Sequence, residues 1–247
     1  MRYWSLTKSE KVTPLAYEAV KTLQLELVEL RARDLIEDTI LFLEHEPVIT
    51  RGRGLQFTGA PRDRHMPAPA FLPPQIAFCE SERGGDLTYH GPGQLVIYPI
   101  VKLDGGSAGF GPHHDVASYL RKLEGALIGV LADFGLTGES RKSATGVWVG
   151  ERKVASLGLA IKKWVTYHGA ALNCVNNLQP FHLISPCGFA PEVMTNLQEL
   201  VPTWPAREWR LSLEEKLISQ MGRGVHQSLT LDAALLSTRR TQASEQA

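Results

Sequence analysis

A single α+β domain, with a mixed or antiparallel sheet in the middle and helices outside, is predicted by three observations on the 247-residue chain. Two long stretches carry apolar residues at every third or fourth position, several short β-rich runs lie between and after them, and no repeat or linker divides the sequence. The length suits one large domain, and 43% hydrophobic with 21% charged residues is an ordinary globular composition able to bury a core without metals or disulfides. The folded body is expected over residues 1–230, with 231–247 as a polar tail whose end, STRRTQASEQA, frays.

After Thr13-Pro14, residues Leu15, Ala16, Ala19, Val20, Leu23, Leu27 and Leu30 recur at helical spacing, with proline at the tolerated first position, so a helix is expected to about residue 33. TILFLEHEPVIT (39–50) is β-rich and broken by Pro47, which predicts two short strands around a bend. Residues 51–74 hold enough Pro, Gly and Arg to read as a long surface loop. IAFCESE (76–82) and QLVIYPIV (94–101) read as buried strands, and residues 83–93 between them as a tight connection across one sheet. Helical periodicity returns at 113–134 through Val116, Tyr119, Leu120, Leu123, Leu127, Val130 and Leu131, and Gly135 ends it. TGVWVG, KVASLGLAI and WVTYHGAALNCV predict an antiparallel meander whose first hairpin turns at Glu151-Arg152. Further helices are expected at about 191–200 and 206–221.

Lys and Arg total 26 and Asp and Glu total 26, so the formal charge is zero. Without a basic excess there is little counterion release to gain, which argues against nucleic acid as the principal partner. MRYWSLTKSEK is too polar for a secretory h-region and no run of about eighteen apolar residues occurs, so neither export nor a membrane span is expected and the cytoplasm is the default address. Nothing in the sequence demands more than a monomer. Cys79, Cys174 and Cys187 cannot pair completely and none belongs to a C-x-x-C, so free thiols are expected.

Candidate chemistry concentrates in three stretches. In RGGDLTYHGPG (83–93) the glycines permit close backbone approach or positive φ around Arg83 and His90. Neither phosphate-binding glycine fingerprint fits, and in isolation the stretch reads as a turn with an exposed arginine and a hydrogen-bonded histidine. Cys187 lies in SPCGF, where strand-like sequence gives way to helix and a nearby helix N-terminus would favour the thiolate; a structural thiol and a nucleophile are evenly balanced at this level. Cys79 and Cys174 lie inside apolar runs and read as small buried hydrophobes. A thiol of pKa about 8.5 needs a neighbouring base or cation at neutral pH, and His168, His90 and Lys153 are all candidates. Lys153 is the only charged residue of KVASLGLAI, where partial burial would suit a base, although a lysine beside a hairpin turn ordinarily reaches solvent. His113-His114-Asp115 reads as helix-capping material, and His45 and His182 lack partners at metal spacing, so no metal site and no cofactor are proposed.

Six segments taken together resemble one family, the lipoate-forming octanoyltransferases. Residues Arg83 to Gln94 are similar at every defined position to its signature R-G-G-x-x-T-[FYW]-H-x-x-[GH]-Q. HEPVIT (45–50), GVWVGERKVASLGLAI (146–161), WVTYHGAALN (164–173), LISPCG (183–188) and MTNL (194–197) follow the family pattern too and span most of the chain. The resemblance implies the fold shared with biotin and lipoate protein ligases, and a catalytic domain over residues 1–230. It implies transfer of an octanoyl or lipoyl group from acyl carrier protein to a specific lysine of lipoyl domains, those of 2-oxoacid dehydrogenase E2 subunits and of glycine cleavage H protein. That transfer is the first step of protein lipoylation from octanoate made in the cell. By the same resemblance Cys187 forms a thioester acyl-enzyme and Lys153 is its partner in a Cys/Lys dyad. The implied acyl-binding residues are Arg83, Gly84, Gly85, Asp86, Leu87, Thr88, Tyr89 and His90, then Ser156, Leu157 and Gly158, then Gly169, Ala170 and Ala171.

A thioester donor and a thioester intermediate are nearly equal in energy, so Cys187 can accept the chain without ATP. Backbone N–H groups near Gly158 or Gly188 are candidates for holding the tetrahedral oxyanion. TRGRGLQF and the Pro-rich stretch at 61–74 depart from the family pattern, and Cys174 is an added thiol. Two rival readings are an ATP-dependent ligase of the same fold, which would need no reactive cysteine, and a catalytically silent protein that only binds acyl carrier or lipoyl domains.

Overall fold

The structure is a computed structural model describing residues 1–8, 14–54, 71–103, 115–141, 144–186, 189–204, 209–222 and 224–246. The described elements are β1 (Arg2–Thr7), α1 (Tyr17–Ala32), β2 (Thr39–Leu43), β3 (Val48–Arg51), β4 (Ala77–Glu80), β5 (Leu87–His90), β6 (Gln94–Ile100) and α2 (Val116–Ala132). They continue with β7 (Gly138–Arg141), β8 (Ala144–Val149), β9 (Arg152–Lys162), β10 (Val165–Asn173), α3 (Leu197–Leu200), α4 (Trp209–Met221), β11 (Val225–Thr230) and α5 (Leu231–Gln246). Eight strands form a mixed sheet in the order β11-β1-β2-β6-β10-β9-β8-β7, and β4-β3-β5 form a smaller one. Strand β1 runs parallel to both β2 and β11, and the remaining pairs of the large sheet are antiparallel.

The large sheet is covered on both faces, which is why β2 and β6 are buried at every position and show no polar alternation. Leu95 and Ile97 face one core with Leu123 and Leu127 of α2 and Leu213 and Leu217 of α4. Val96 and Tyr98, one step out of phase, face the other with Val20, Leu23 and Leu27 of α1. This is the expected α+β architecture.

Several local expectations are corrected. Residues 83–93 are not one tight connection: β5 forms inside them and pairs with β3, so β4 and β6 on either side lie in different sheets. The hairpin between β8 and β9 turns at Gly150-Glu151, one residue early, because Gly150 takes a positive φ of 54°. Helix α1 starts at Tyr17 with no side-chain cap, three residues after Pro14. The 191–200 stretch is a 3₁₀ turn over Pro191–Val193 and the single helical turn α3, which Asn196 caps. β1, β7 and β11 were not anticipated. The polar end is not frayed: α5 buries Ala234, and the Thr238 hydroxyl donates to Glu26 on α1. Cys79 is only half-buried, since β4 is an edge strand, and burial with the Glu18 carboxylate nearby pushes its thiol up to about 11. Cys174 is fully buried, as expected. Asp115 caps α2 by accepting from the Ser118 N–H at 2.9 Å, while His113, His114 and most of the 51–74 loop lie outside the described residues.

Candidate active site

A narrow cavity opens where the glycine-rich stretch meets β9 and β10. Its walls are Arg83, Thr88 and His90 from the first, Ser156, Leu157 and Gly158 from β9, His168, Gly169, Ala170 and Ala171 from β10, and Tyr98 from β6. Alternation along β5 explains which residues reach it. Thr88 and His90 point to the cavity, whereas Leu87 and Tyr89 point the other way into a small core with Phe181 and Ile184. Gly84, Gly85 and Asp86 are not on the wall either. Arg83 is turned inward: its guanidinium donates to the Thr50 carbonyl (2.7 Å), the Thr50 hydroxyl (2.8 and 3.1 Å) and the Gly84 carbonyl (3.1 Å), so it builds the loop. The Gly84 N–H then donates to the Leu159 carbonyl at 2.8 Å, docking the loop on β9. Gly158 permits that approach, since a Cβ there would sit 2.7 Å from the Gly84 carbonyl oxygen.

Lys153 is 2% exposed, so the solvent-facing reading is overturned. A bulge aims it: Trp148 pairs with Lys153 and Val147 with Ala155, leaving Val154 as the extra residue, and Lys153, Val154 and Ala155 are all buried in succession. The stem lies across Gly146, where a Cβ would come within 2.4 Å of Lys153 Cε. Gly146 is itself fixed by α2, its N–H donating to the buried Glu124 carboxylate at 3.0 Å. The ammonium lies 5.7 Å from the ring centroids of both Trp148 and Phe189, and those rings meet edge to face at 5.3 Å. The Lys153 carbonyl accepts from the Thr195 N–H at 3.0 Å, drawing the 189–195 segment along the start of β9. Cys187 and Gly188 lie outside the described residues; their neighbours Pro186 and Phe189 are joined by a hydrogen bond from the Phe189 N–H to the Pro186 carbonyl, 3.1 Å.

The chain matches the lipoyl protein ligase A/B catalytic domain family over residues 16–218. It is 42% identical over 190 residues to an octanoyltransferase of Syntrophobacter fumaroxidans, covering 76% of this chain and 78% of that protein. It is 44% identical over 193 residues to an octanoyltransferase of Thermobifida fusca, covering 75% of each. The chain belongs to the octanoyltransferase family. As a member it is an acyltransferase acting in lipoylation. The fold likeness extends to a lipoate-protein ligase A crystallised with ATP (TM-score 0.67, 17% identity, 97% of this chain and 94% of that one). It extends also to a lipoate protein ligase from T. acidophilum (TM-score 0.65, 16% identity, 99% and 95%).

Behind the octanoyltransferase cavity lies a cluster of buried rings that the sequence reading missed in part: Tyr17, His45, His90, Tyr98 and His168, with centroids 5.2 to 6.4 Å apart. Burial lowers the pKa of all three imidazoles. His45 falls to about 4 despite donating from Nδ1 to the Leu15 carbonyl (3.0 Å), and its Nε2 accepts from the Tyr98 hydroxyl (2.9 Å). His90 falls well below 6.5 through burial and the nearby His45 and Arg83. His168 is lowered by burial although Glu82, 3.6 Å away, pulls the other way. Glu82 in turn is held down to about 2 by contact with His168 and Lys21. His168 also sits at a positive φ of 55°, and Gln24 on α1 supports that backbone by accepting its N–H at 2.7 Å. The loop beyond His90 is anchored by Glu44, which accepts the Gly93 N–H at 2.7 Å. Among the described residues no group of three His, Cys, Asp or Glu is arranged to hold a metal ion, and no helix is long and apolar enough to cross a membrane.

Proposed function

We propose that the chain moves an octanoyl group from acyl carrier protein to a lysine of lipoyl domains, with Cys187 as nucleophile and Lys153 as the base beside it. The observation that carries this reading is the position of Lys153 Nζ. It is buried on β9, three residues before the cavity wall begins at Ser156, and 5.7 Å from the ring of Phe189, two residues beyond Cys187 in the chain. In the first half-reaction Lys153 takes the thiol proton, the thiolate attacks the donor thioester, and the carrier thiolate leaves and recovers the proton. In the second, the incoming lysine amine loses a proton to Lys153, attacks the Cys187 thioester and forms the amide, returning the cysteine to its thiol state. Leu157, Gly158, Gly169, Ala170 and Ala171 supply the small and apolar wall that a straight acyl chain requires. The polar residues Thr88, His90 and Ser156 share that wall and suit the thioester end.

Incubation with octanoyl-acyl carrier protein is expected to add one octanoyl mass on Cys187, detected by mass spectrometry of the peptide. Formation of an octanoyl adenylate with ATP, and no adduct on the cysteine, would favour the ligase reading. Cys187→Ala is expected to abolish transfer to a lipoyl domain; a protein that merely binds carriers would be unaffected in cells by that change.

A further inference from the structure

His90 is the residue of the glycine-rich stretch whose ring borders the cavity, and a chain of side-chain amides reaches it from across the sheet. The Asn173 amide nitrogen donates to the Thr195 carbonyl at 2.9 Å. Asn173 Oδ1 accepts from the Gln94 amide nitrogen at 2.9 Å and from Asn176 at 3.2 Å. The Gln94 nitrogen also donates to the Tyr89 carbonyl at 3.2 Å, and Gln94 Oε1 lies 2.8 Å from His90 Nδ1. Every member is buried. Two backbone carbonyls, Thr195 and Tyr89, terminate the chain, and a carbonyl only accepts. Flipping either amide would set oxygen against oxygen, so both orientations are fixed and His90 Nδ1 must carry the proton. Burial keeps the ring neutral, which leaves Nε2 unprotonated. Nε2 has no hydrogen bond among the described residues, and the ring lines the cavity.

We propose that Gln94 is a positioning residue: it locks His90 in the Nδ1–H tautomer so that Nε2 accepts a hydrogen bond from the amine of the incoming lysine during the second half-reaction. This rests on the acyl-transfer reading above. The amine is the strongest N–H donor that the reaction brings to the acyl carbonyl, and a fixed acceptor aims its lone pair without removing the proton, which is the task of Lys153. The same amide chain ties His90 to the Lys153 end of the site, because Thr195, which receives Asn173 at its carbonyl, gives its N–H to the Lys153 carbonyl.

Long-range proton–nitrogen correlation spectra of the ¹⁵N-labelled full chain at neutral pH, with His90 assigned by signal loss in His90→Gln, read the tautomer directly. The expected result is protonated Nδ1 and bare Nε2; a protonated Nε2, or an imidazolium, overturns the proposal without need of any folded variant. In Gln94→Leu the signals should shift to a mixture of tautomers. Octanoyl transfer from the isolated acyl-enzyme to a lipoyl domain should slow about 10-fold, while acyl-enzyme formation stays within about 2-fold. Equal loss in both half-reactions, or no loss in the second, overturns it as well. If the wild-type chain forms no octanoyl adduct, the acyl-transfer reading fails, whatever the tautomer spectrum shows.

Discussion

Lys153 and His90 are both buried polar side chains of the proposed site, and the fold holds them by different means. Lys153 is aimed by shape: a bulge turns it inward, Gly146 leaves room for its stem, and the faces of Trp148 and Phe189 lie around its ammonium. His90 is aimed by direction, through an amide chain that decides which ring nitrogen bears a proton. A lysine side chain ends in a single nitrogen free to turn about its last bond, so confining it in space suffices. An imidazole has two unlike nitrogens, so confinement alone would leave its chemistry undecided. The lysine end should therefore fail when volume changes, and the histidine end when hydrogen bonding changes.

The largest effect is expected from removing the amine while keeping the stem. Lys153→Met should lower octanoyl transfer about 10³-fold, in the range general acid–base groups supply. It should also slow alkylation of the Cys187 thiol by iodoacetamide more at neutral pH than near about pH 9, where an ordinary thiol ionises unaided. An alkylation profile identical to wild type would show that the amine does not tune this thiol, and the comparison would lose its first half.

Changing the shape around the amine should come next. Gly146→Ala puts a Cβ 2.4 Å from Lys153 Cε and 2.5 Å from the Ala155 carbonyl oxygen, at a backbone φ of 139° that resists any side chain. Displacement of the amine by about 1 Å should cost about 10²-fold in transfer rate. Gly150→Ala is the control: φ is also positive, at 54°, but nothing lies within 4 Å of the added methyl, so it should lower stability by about 1 kcal/mol and leave the rate unchanged. Equal rates in the two variants would refute aiming by shape.

The cavity wall gives a smaller, graded effect. Each methylene buried contributes about 0.8 kcal/mol, so hexanoyl should be used roughly 10-fold less well than octanoyl in kcat/KM. A sharp cutoff would mean that the far end of the cavity is closed rigidly.

The two means of aiming differ also in how far they could be read from the sequence. Lys153 is the one charge in KVASLGLAI, a local anomaly that makes it a candidate base, while its burial follows only from the bulge between β8 and β9. Gln94 closes the glycine-rich signature and Asn173 closes WVTYHGAALN, but their pairing cannot be read there, because it arises only when residues 79 positions apart in the chain meet across β6 and β10. The same division runs through the fold. Helices α1 and α2 carry their period, and strands β2, β6, β9 and β10 their apolar runs, in their own residues. β11 reads VHQSLT, half exposed at the sheet edge, and exists because β1 lies parallel beside it more than 200 residues away in sequence. Arg83 was legible as a site residue but not as one turned inward, since Thr50 receives it from another strand.

Neutral imidazoles on the histidine side also set how the whole fold answers acid. His45 titrates at about 4 in the folded chain against 6.5 when free, so the unfolded state binds more protons throughout that interval. Stability contributed by the neutral ring is present above about pH 6.5 and is lost as pH falls toward 4, reaching roughly 3 kcal/mol from His45 alone. His90 and His168, also lowered by burial, act in the same direction. Urea midpoints measured across this range should therefore fall with pH, most steeply between about 6 and 4.5. His45→Gln preserves a donor for the Leu15 carbonyl without a titrating ring, and should flatten the slope by about one proton while lowering the midpoint at neutral pH. An unchanged slope would mean that His45 binds its proton equally in the folded and unfolded chain, and so is charged in the folded chain across that acid range. A ring next to His90 would then carry a proton of its own, and direction could no longer be the means by which that side of the site is set.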